Sequence, residues 1–308
     1  GSPVLYSALV RPLLVIGRAG SGKTTVALGL AHLLGHSHRQ VTLLRLGTDQ
    51  RARHDARLFH RLGLSTQGEP LSALPPSLPT IAVVEGEAEA LPPGWQEAGA
   101  RVVVVARYPH VQDALSLLGQ VEEALLGMVV TCVPERRQKQ LAKQLAGAPV
   151  LGMVQEDRLL AFPTLGQLQE AVEAQAFWSV GHEEMALSRV VISSIAKDPG
   201  QDYFARLRPD AVIVRSDKPD QQLAALNVGV RCLLVTGDTP ILPYVLARAE
   251  EEGTAILATP LGTVEVAERL DALIASAPLA GREKAERAAH LVASAIDAER
   301  VLASLRWP

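Results

Sequence analysis

Residues 17–24 read Gly-Arg-Ala-Gly-Ser-Gly-Lys-Thr, a glycine, four residues, then Gly-Lys-Thr. That spacing is the one with which a backbone holds a phosphate chain. Its glycines let successive N–H groups turn inward as an anion nest. A helix opening near Lys23 adds unsatisfied N–H groups and the positive end of its dipole. Lys23 supplies a mobile cation for the β- and γ-phosphates, and Thr24 offers a hydroxyl to a magnesium ion. The run Gly17, Arg18, Ala19, Gly20, Ser21, Gly22, Lys23, Thr24 and Thr25 is therefore expected to bind a nucleoside triphosphate, ATP or GTP, together with Mg2+. The flanks agree, because the apolar run PLLVIG precedes the loop and the helical pattern TTVALGLAHLLG follows it.

Such a site needs an acid for the metal. The run IAVVEG (81–86) ends on Glu85, which is expected to hold Mg2+ directly or through water. Asp49 and Asp55 follow the second apolar run, and either can approach the metal or a water facing the γ-phosphate. Asp49 is grouped with Thr24 and Glu85 on the metal side, and with Lys23 and Glu85 as catalytic. Ordinary alternatives stand beside these roles. Glu85 could be a solvated strand-end acid, since Glu87 and Glu89 follow it, and Asp49 a helix-start acid. Arg18 inside the loop and Arg45 at the end of the second run are cations near the phosphates. An arginine keeps its proton, so it clamps an oxyanion and makes a poor general base. A salt bridge from Arg45 to Asp49 explains Arg45 equally well. His54, His60 and His110 show no ligand spacing, and His182-Glu183-Glu184 lacks the second histidine of a zinc motif.

The elements that must position these residues are legible as short apolar runs: 12–17, 41–46, 81–86, 101–106, 127–133 and 149–154. Continuous Val/Ile/Leu runs suit strands buried on both faces. Helical patterns lie between them at 24–35, 52–64, 110–127 and 136–147. The expected fold is α/β, a doubly wound, mostly parallel-sheet P-loop domain spanning 1–154. Residues 67–79, rich in Pro, Ser and Gly, form a surface loop. The rhythm restarts with a helix at 164–174 and runs at 189–193, 210–214, 231–235 and 254–258. These define a second, smaller α/β domain over 155–275. The remainder, 276–308, carries an amphipathic helix from Arg282 to Leu305.

Composition bounds the rest. With 308 residues, 48% apolar and 20% charged, the chain has material for two cores. A formal charge of −3 gives no electrostatic case for nucleic acid as partner. Cys132 and Cys232 lie in apolar runs and are expected to be reduced, buried strand residues. The apolar runs are strand-sized, so no membrane span is expected, and the start lacks a secretory pattern. A cytoplasmic location is the expectation.

Three segments, GRAGSGKTT, VVEG (83–86) and MVVTCVP (128–134), resemble the dethiobiotin-synthetase-like P-loop domain at the N-terminus of some phosphate acetyltransferases. PVLGMVQEDRLL (149–160) resembles the junction into the DRTGG domain of those proteins. RSDKPDQQLAAL (215–226), LLVTGDTP (233–240) and AILATPLGTVEVAERL (255–270) look like that domain itself. Asp217-Lys218-Pro219 stands where Asp-Arg-Thr or Asp-Arg-Ser is usual, and Thr236-Gly237-Asp238 where Thr-Gly-Gly is usual. The resemblance implies that Arg45 takes the place of a substrate-handling lysine and Thr131 that of a base-reading asparagine. The 308 residues hold no acetyltransferase domain, so acyl transfer to phosphate is not expected. Arg18 after the first glycine makes the loop similar to ATPases whose loop cation crosses a dimer interface, which implies a homodimer. The leading expectation is an ATP/Mg2+-dependent regulatory protein with slow NTPase activity, its DRTGG-like domain sensing a small ligand or docking a protein partner. The alternatives are a carboxylate-activating ligase of the dethiobiotin or cobyrinate-amidation type, and a non-catalytic interaction protein.

Overall fold

The computed structural model describes residues 11–36, 40–75, 78, 81–86, 91–178, 181–193 and 201–305. Glu87, Glu89 and part of the 67–79 loop lie outside them. The chain divides into two compact units, one of 1–157 with 285–308, the other of 158–284.

In the first unit the apolar runs are strands: β1 (Leu13–Gly17), β2 (Val41–Arg45), β3 (Ile81–Glu85), β4 (Arg101–Arg107), β5 (Leu125–Val133) and β6 (Val150–Gln155). They form one parallel sheet in the order β2-β3-β1-β4-β5-β6. Every residue of β1 and β3 is buried, as two-sided coverage of Val, Ile and Leu requires. Register then decides what meets at the carboxyl edge. Arg45 stands opposite Glu85, and Gly17 opposite Val105.

Helix α1 (Lys23–Gly35) follows β1 directly, and α2 (Gln50–Arg61) follows β2. The helix expected over 110–127 is three pieces: a 3-10 turn at Val111–Ala114, a helix at Leu115–Val121 and a second turn at Glu122–Ala124. Glu122 sits at φ 17 and ψ −94, which stops the helix, and the chain enters β5 at Leu125. The pattern at 136–147 likewise begins as a 3-10 turn, with its helix at Gln138–Gln144.

The C-terminal helix expected from Arg282 to Leu305 is two helices, Arg282–Ala295 and Ala298–Ser304. Ile296 bridges to Gly152 beside β6, and the Asp297 carboxylate accepts from Arg300 N to start the second helix. The first of them packs on α1. A Cβ on Gly29 would lie 2.2 Å from Val292 Cβ, so the two backbones approach closely only because residue 29 is glycine.

The second unit holds β7 (Gln175–Trp178), β8 (Val190–Ile192), β9 (Ala211–Arg215), β10 (Cys232–Thr236) and β11 (Ala255–Thr259) in the order β7-β11-β10-β9-β8. All pairs are parallel except β7 with β11. The Thr164 hydroxyl and the Gln167 side chain cap the helix Leu165–Ala171 reciprocally. The antiparallel β7 was not among the expected strands; Gln-Ala-Phe-Trp has no β-branched residue and follows a helix by three positions. One apolar cluster joins Leu165, Leu168 and Leu270 to one face of this sheet, and another joins Phe204, Leu226 and Val245 to its other face. No helix of the described residues is long and apolar enough to cross a membrane.

Candidate functional site

The loop after β1 is built as its glycines require. Gly20 and Gly22 adopt φ of 75° and 92°, and Gly22 is the N-cap of α1. Gly17 is required for another reason. A Cβ there would lie 2.4 Å from Val105 O and 2.7 Å from Ser21 Oγ. Lys23 is buried, and its Nζ donates to Gly17 O at 2.9 Å and Arg18 O at 3.2 Å. Burial holds its pKa below the usual lysine value, against the pull of Glu85.

Thr24 and Glu85, two of the three residues singled out for a metal, are brought together. Thr24 Oγ1 donates to Glu85 Oε1 at 3.1 Å. Glu85 is 2% exposed, and its Oε2 is buried without a hydrogen-bond partner. Burial, and then the neighbouring Asp55 charge, push its carboxyl up to about 7, with Arg45, Lys23 and Thr24 pulling the other way. Register explains the next contact. Arg45 Nε stands 3.6 Å from Glu85 Oε1 and 3.3 Å from Asp55 Oδ2. The same guanidinium donates to Leu46 O. Asp55 is also buried and its pKa is raised by burial, partly offset by Arg45.

The salt bridge considered between Arg45 and Asp49 is not the one that forms. Asp49 is exposed, and its carboxylate accepts from Ala52 N at 2.6 Å as the N-cap of α2. Asp55, one and a half turns further on, is the acid on the inward face of that helix. Thr131 stands differently from an exposed base-reading side chain. It is buried under the loop, its hydroxyl 2.6 Å from Ser21 O and 3.3 Å from Ala106 O, and it lies against Gly22. Its neighbour Cys132, expected to be buried, is half-buried with φ 56, whereas Cys232 is buried and its thiol is pushed up to about 12.

On the other flank of the loop, Arg18 Nη1 pairs with Asp113 Oδ2 at 3.2 Å, both side chains about half exposed. Arg107 Nη1 donates to Gly20 O at 3.1 Å. These groups border a cleft of about 150 Å³, lined also by Ser21, Val105 and His110. Arg107 and Asp113 were missed in the sequence. Arg107 ends the run RVVVVA as Arg45 ends VTLL, so the same strand-end argument finds it.

The residues suit a magnesium–nucleotide ligand. An ionisable buried oxygen, Glu85 Oε2, lacks a partner; a hydroxyl is already beside the carboxylate; and the loop leaves no room for a Cβ at Gly17. Among the described residues no group of three or more His, Cys, Asp or Glu side chains could hold a metal ion. An ion here would therefore draw its other ligands from phosphate oxygens and water.

Fold and site together define a P-loop domain of mostly parallel α/β architecture with a second α/β domain attached. Residues 13–165 match the CobQ/CobB/MinD/ParA nucleotide binding domain family, and residues 167–273 match the DRTGG domain family. The chain thus joins a nucleotide-binding P-loop domain of that kind to a DRTGG domain. Solved structures with some likeness include the CBS and DRTGG domains of the regulatory region of a Clostridium perfringens pyrophosphatase complexed with its activator, diadenosine tetraphosphate. It is 12% identical, covering 54% of this chain and 75% of that one, with a TM-score of 0.32. The MinC:MinD cell division complex of Aquifex aeolicus is 16% identical over 48% of this chain and 83% of that one, at 0.34. A Borrelia burgdorferi B31 protein named for plasmid partition, bound to AMPPNP, is 15% identical over 48% and 87%, also at 0.34. Likeness at this level carries no argument about function.

Proposed function

We propose that this chain is a magnesium-dependent nucleotide switch, binding ATP or GTP at residues 17–25 and relaying the bound state to a second copy and to its DRTGG domain. The observation that carries the reading is the Thr24–Glu85 pair beside Lys23, with Glu85 Oε2 unpartnered in the interior. Thr24 and Glu85 would hold Mg2+, which when bound neutralises phosphate charge and orients the terminal phosphoryl group. Lys23 would leave the carbonyls of Gly17 and Arg18 for the phosphates. Arg45 fixes Glu85 and Asp55 in place and is itself held by Leu46 O, so it acts as a positioning residue. Asp49, engaged at its cap, is expected to contribute less than Asp55. Thr131 shapes the loop from below, so the reading assigns it no part in choosing the base.

Hydrolysis would be slow within one copy. Its cations are committed, Arg45 to two acids and Arg18 to Asp113. A half-exposed Arg18 can exchange Asp113 for the phosphates of a facing copy, which links turnover to homodimer formation. The test is thermal unfolding of wild type and Lys23→Ala with ATP, GTP and their diphosphates, with and without Mg2+, paired with molar mass in solution. A Mg2+-dependent rise for one triphosphate, lost in Lys23→Ala and accompanied by doubling of mass, is expected. A ligand at a hundredfold excess over Kd stabilises by about 2.7 kcal/mol. No rise with any nucleotide overturns the reading. Nucleotide release stimulated by a small carboxylic acid would instead favour the ligase alternative.

A further inference from the structure

His32 and His36 stand one turn apart at the C-terminal end of α1, and His290 faces them from the helix Arg282–Ala295. The ring centroids of His32 and His36 are 4.3 Å apart, and those of His32 and His290 are 4.7 Å apart, with the planes at 66° and 65°. His36 Nδ1 lies 2.9 Å from His32 O. The seam below these rings is tight and apolar. Ala285, Ala288, Ala289 and Val292 are buried, and Val292 fills the space that a side chain at residue 29 would need. The three imidazoles thus close the end of a packed helix pair.

Edge-to-face contact at these distances suits neutral rings. A proton on the half-buried His32 makes an ion that cannot be fully hydrated there. The charged groups acting on His32 are His36 from its own helix and His290 from the facing one; after burial, these are what hold its pKa below the usual 6.5. One turn before His290 stand Glu286 and Arg287, and Arg287 is held by Asp157 at 2.8 and 2.7 Å.

We propose that His32, packed edge-to-face against His36 and His290, is a proton-sensitive clasp that seats the C-terminal helix on α1 when neutral and releases it when protonated. A group whose folded pKa is lowered favours the closed form when neutral. The clasp is therefore intact above about pH 6.5 and lost as pH falls through the folded value. The device has a route to the phosphate loop, because α1 opens at Lys23 and Thr24 and ends at these histidines. It does not depend on the nucleotide reading.

The test is hydrogen exchange of the full chain without nucleotide, from about pH 8 to about pH 5, corrected for intrinsic exchange rates. The expected result is loss of protection in 285–304 as pH falls below that of a free imidazole, with β4 still protected. A chain carrying His32→Gln, His36→Gln and His290→Gln should keep its C-terminal protection over the same range. Should that chain fail to fold, His290→Gln alone, at an exposed position, should move the loss to lower pH. Protection that persists in the wild type to about pH 5 overturns the proposal. So does an equal loss in the triple variant, or an unshifted loss in His290→Gln.

Discussion

Removing the charge of Glu85 should strengthen the nucleotide-free protein in alkaline solution and leave it unchanged in acid. The carboxyl is pushed from 4.5 to about 7, first by burial and then by Asp55. A folded value above the unfolded one means that the folded state keeps a proton which the unfolded chain gives up. That contribution is complete below about pH 4.5 and is lost as pH rises through 7. At 1.36 kcal/mol per pKa unit the displacement corresponds to about 3 kcal/mol. Asp55 is raised by burial too and steepens the same slope. Glu85→Gln keeps the shape and an acceptor for Thr24 but cannot ionise. Urea unfolding of both proteins between about pH 5 and pH 8.5 should give curves that separate with rising pH, the variant being the more stable by up to about 3 kcal/mol. Magnesium–nucleotide should reverse the order. On the proposed role of Glu85 as a ligand of the ion, binding to wild type below pH 7 should release a proton and weaken by up to tenfold per pH unit, a slope the variant should lack. Curves that stay parallel across this range would refute the reasoning, because Glu85 would then carry no buried titration.

Other perturbations test separate parts of the loop. Gly17→Ala places a Cβ 2.4 Å from a backbone oxygen, so a stability loss of about 1–3 kcal/mol and loss of nucleotide binding are expected in calorimetry. Thr131→Val removes the bond to Ser21 O; it should cost about 1 kcal/mol and weaken ATP and GTP by the same factor in titration. A change in base preference would contradict its place beneath the loop. Asp113→Ala frees Arg18 from an exposed ion pair. Stability should stay within about 1 kcal/mol while nucleotide-dependent self-association rises, read by light scattering.

The inner strands of the first sheet, β1, β3, β4 and β5, were legible because burial on both faces leaves a near-unbroken apolar run, and the less buried edge strands β2 and β6 still carry enough of one. β7 carries none, since an antiparallel edge strand of four residues needs only one covered side. The helix expected over 110–127 failed for a related reason. Periodicity records which residues face inward, and a chain of 3-10 turn, helix and turn buries Val111, Ala114, Leu117 and Val121 on one side just as a continuous helix does. Glu122, where the backbone turns away, has no sequence mark comparable to a glycine or proline.

Within the site, what could be read was what a motif fixes along the chain, and what could not was what the sheet fixes across it. Lys23 and Thr24 follow from the loop alone. Glu85 needed only the end of a strand. The choice between Asp49 and Asp55 depended on helix phase. Asp49 precedes the first turn of α2, where exposed N–H groups claim its carboxylate, while Asp55 falls on the face that turns toward β2. A pairing of Arg45 with the nearer acid in sequence was one of two readings, but β2 and β3 stand in register with Arg45 opposite Glu85, and the guanidinium lies inward beside Glu85 and the farther acid. Two carboxylates and two cations are then confined to one interior region, Glu85 and Asp55 with Arg45 and Lys23. Such a region is balanced when Lys23 remains at the loop. If, as proposed, Lys23 is drawn to phosphate, Glu85 would lose a cation that favours its charge, and a divalent ion at Thr24 and Glu85 would restore the balance. Metal and triphosphate should therefore bind cooperatively, each weak alone, and measurable Mg2+ affinity in the absence of nucleotide would count against that coupling.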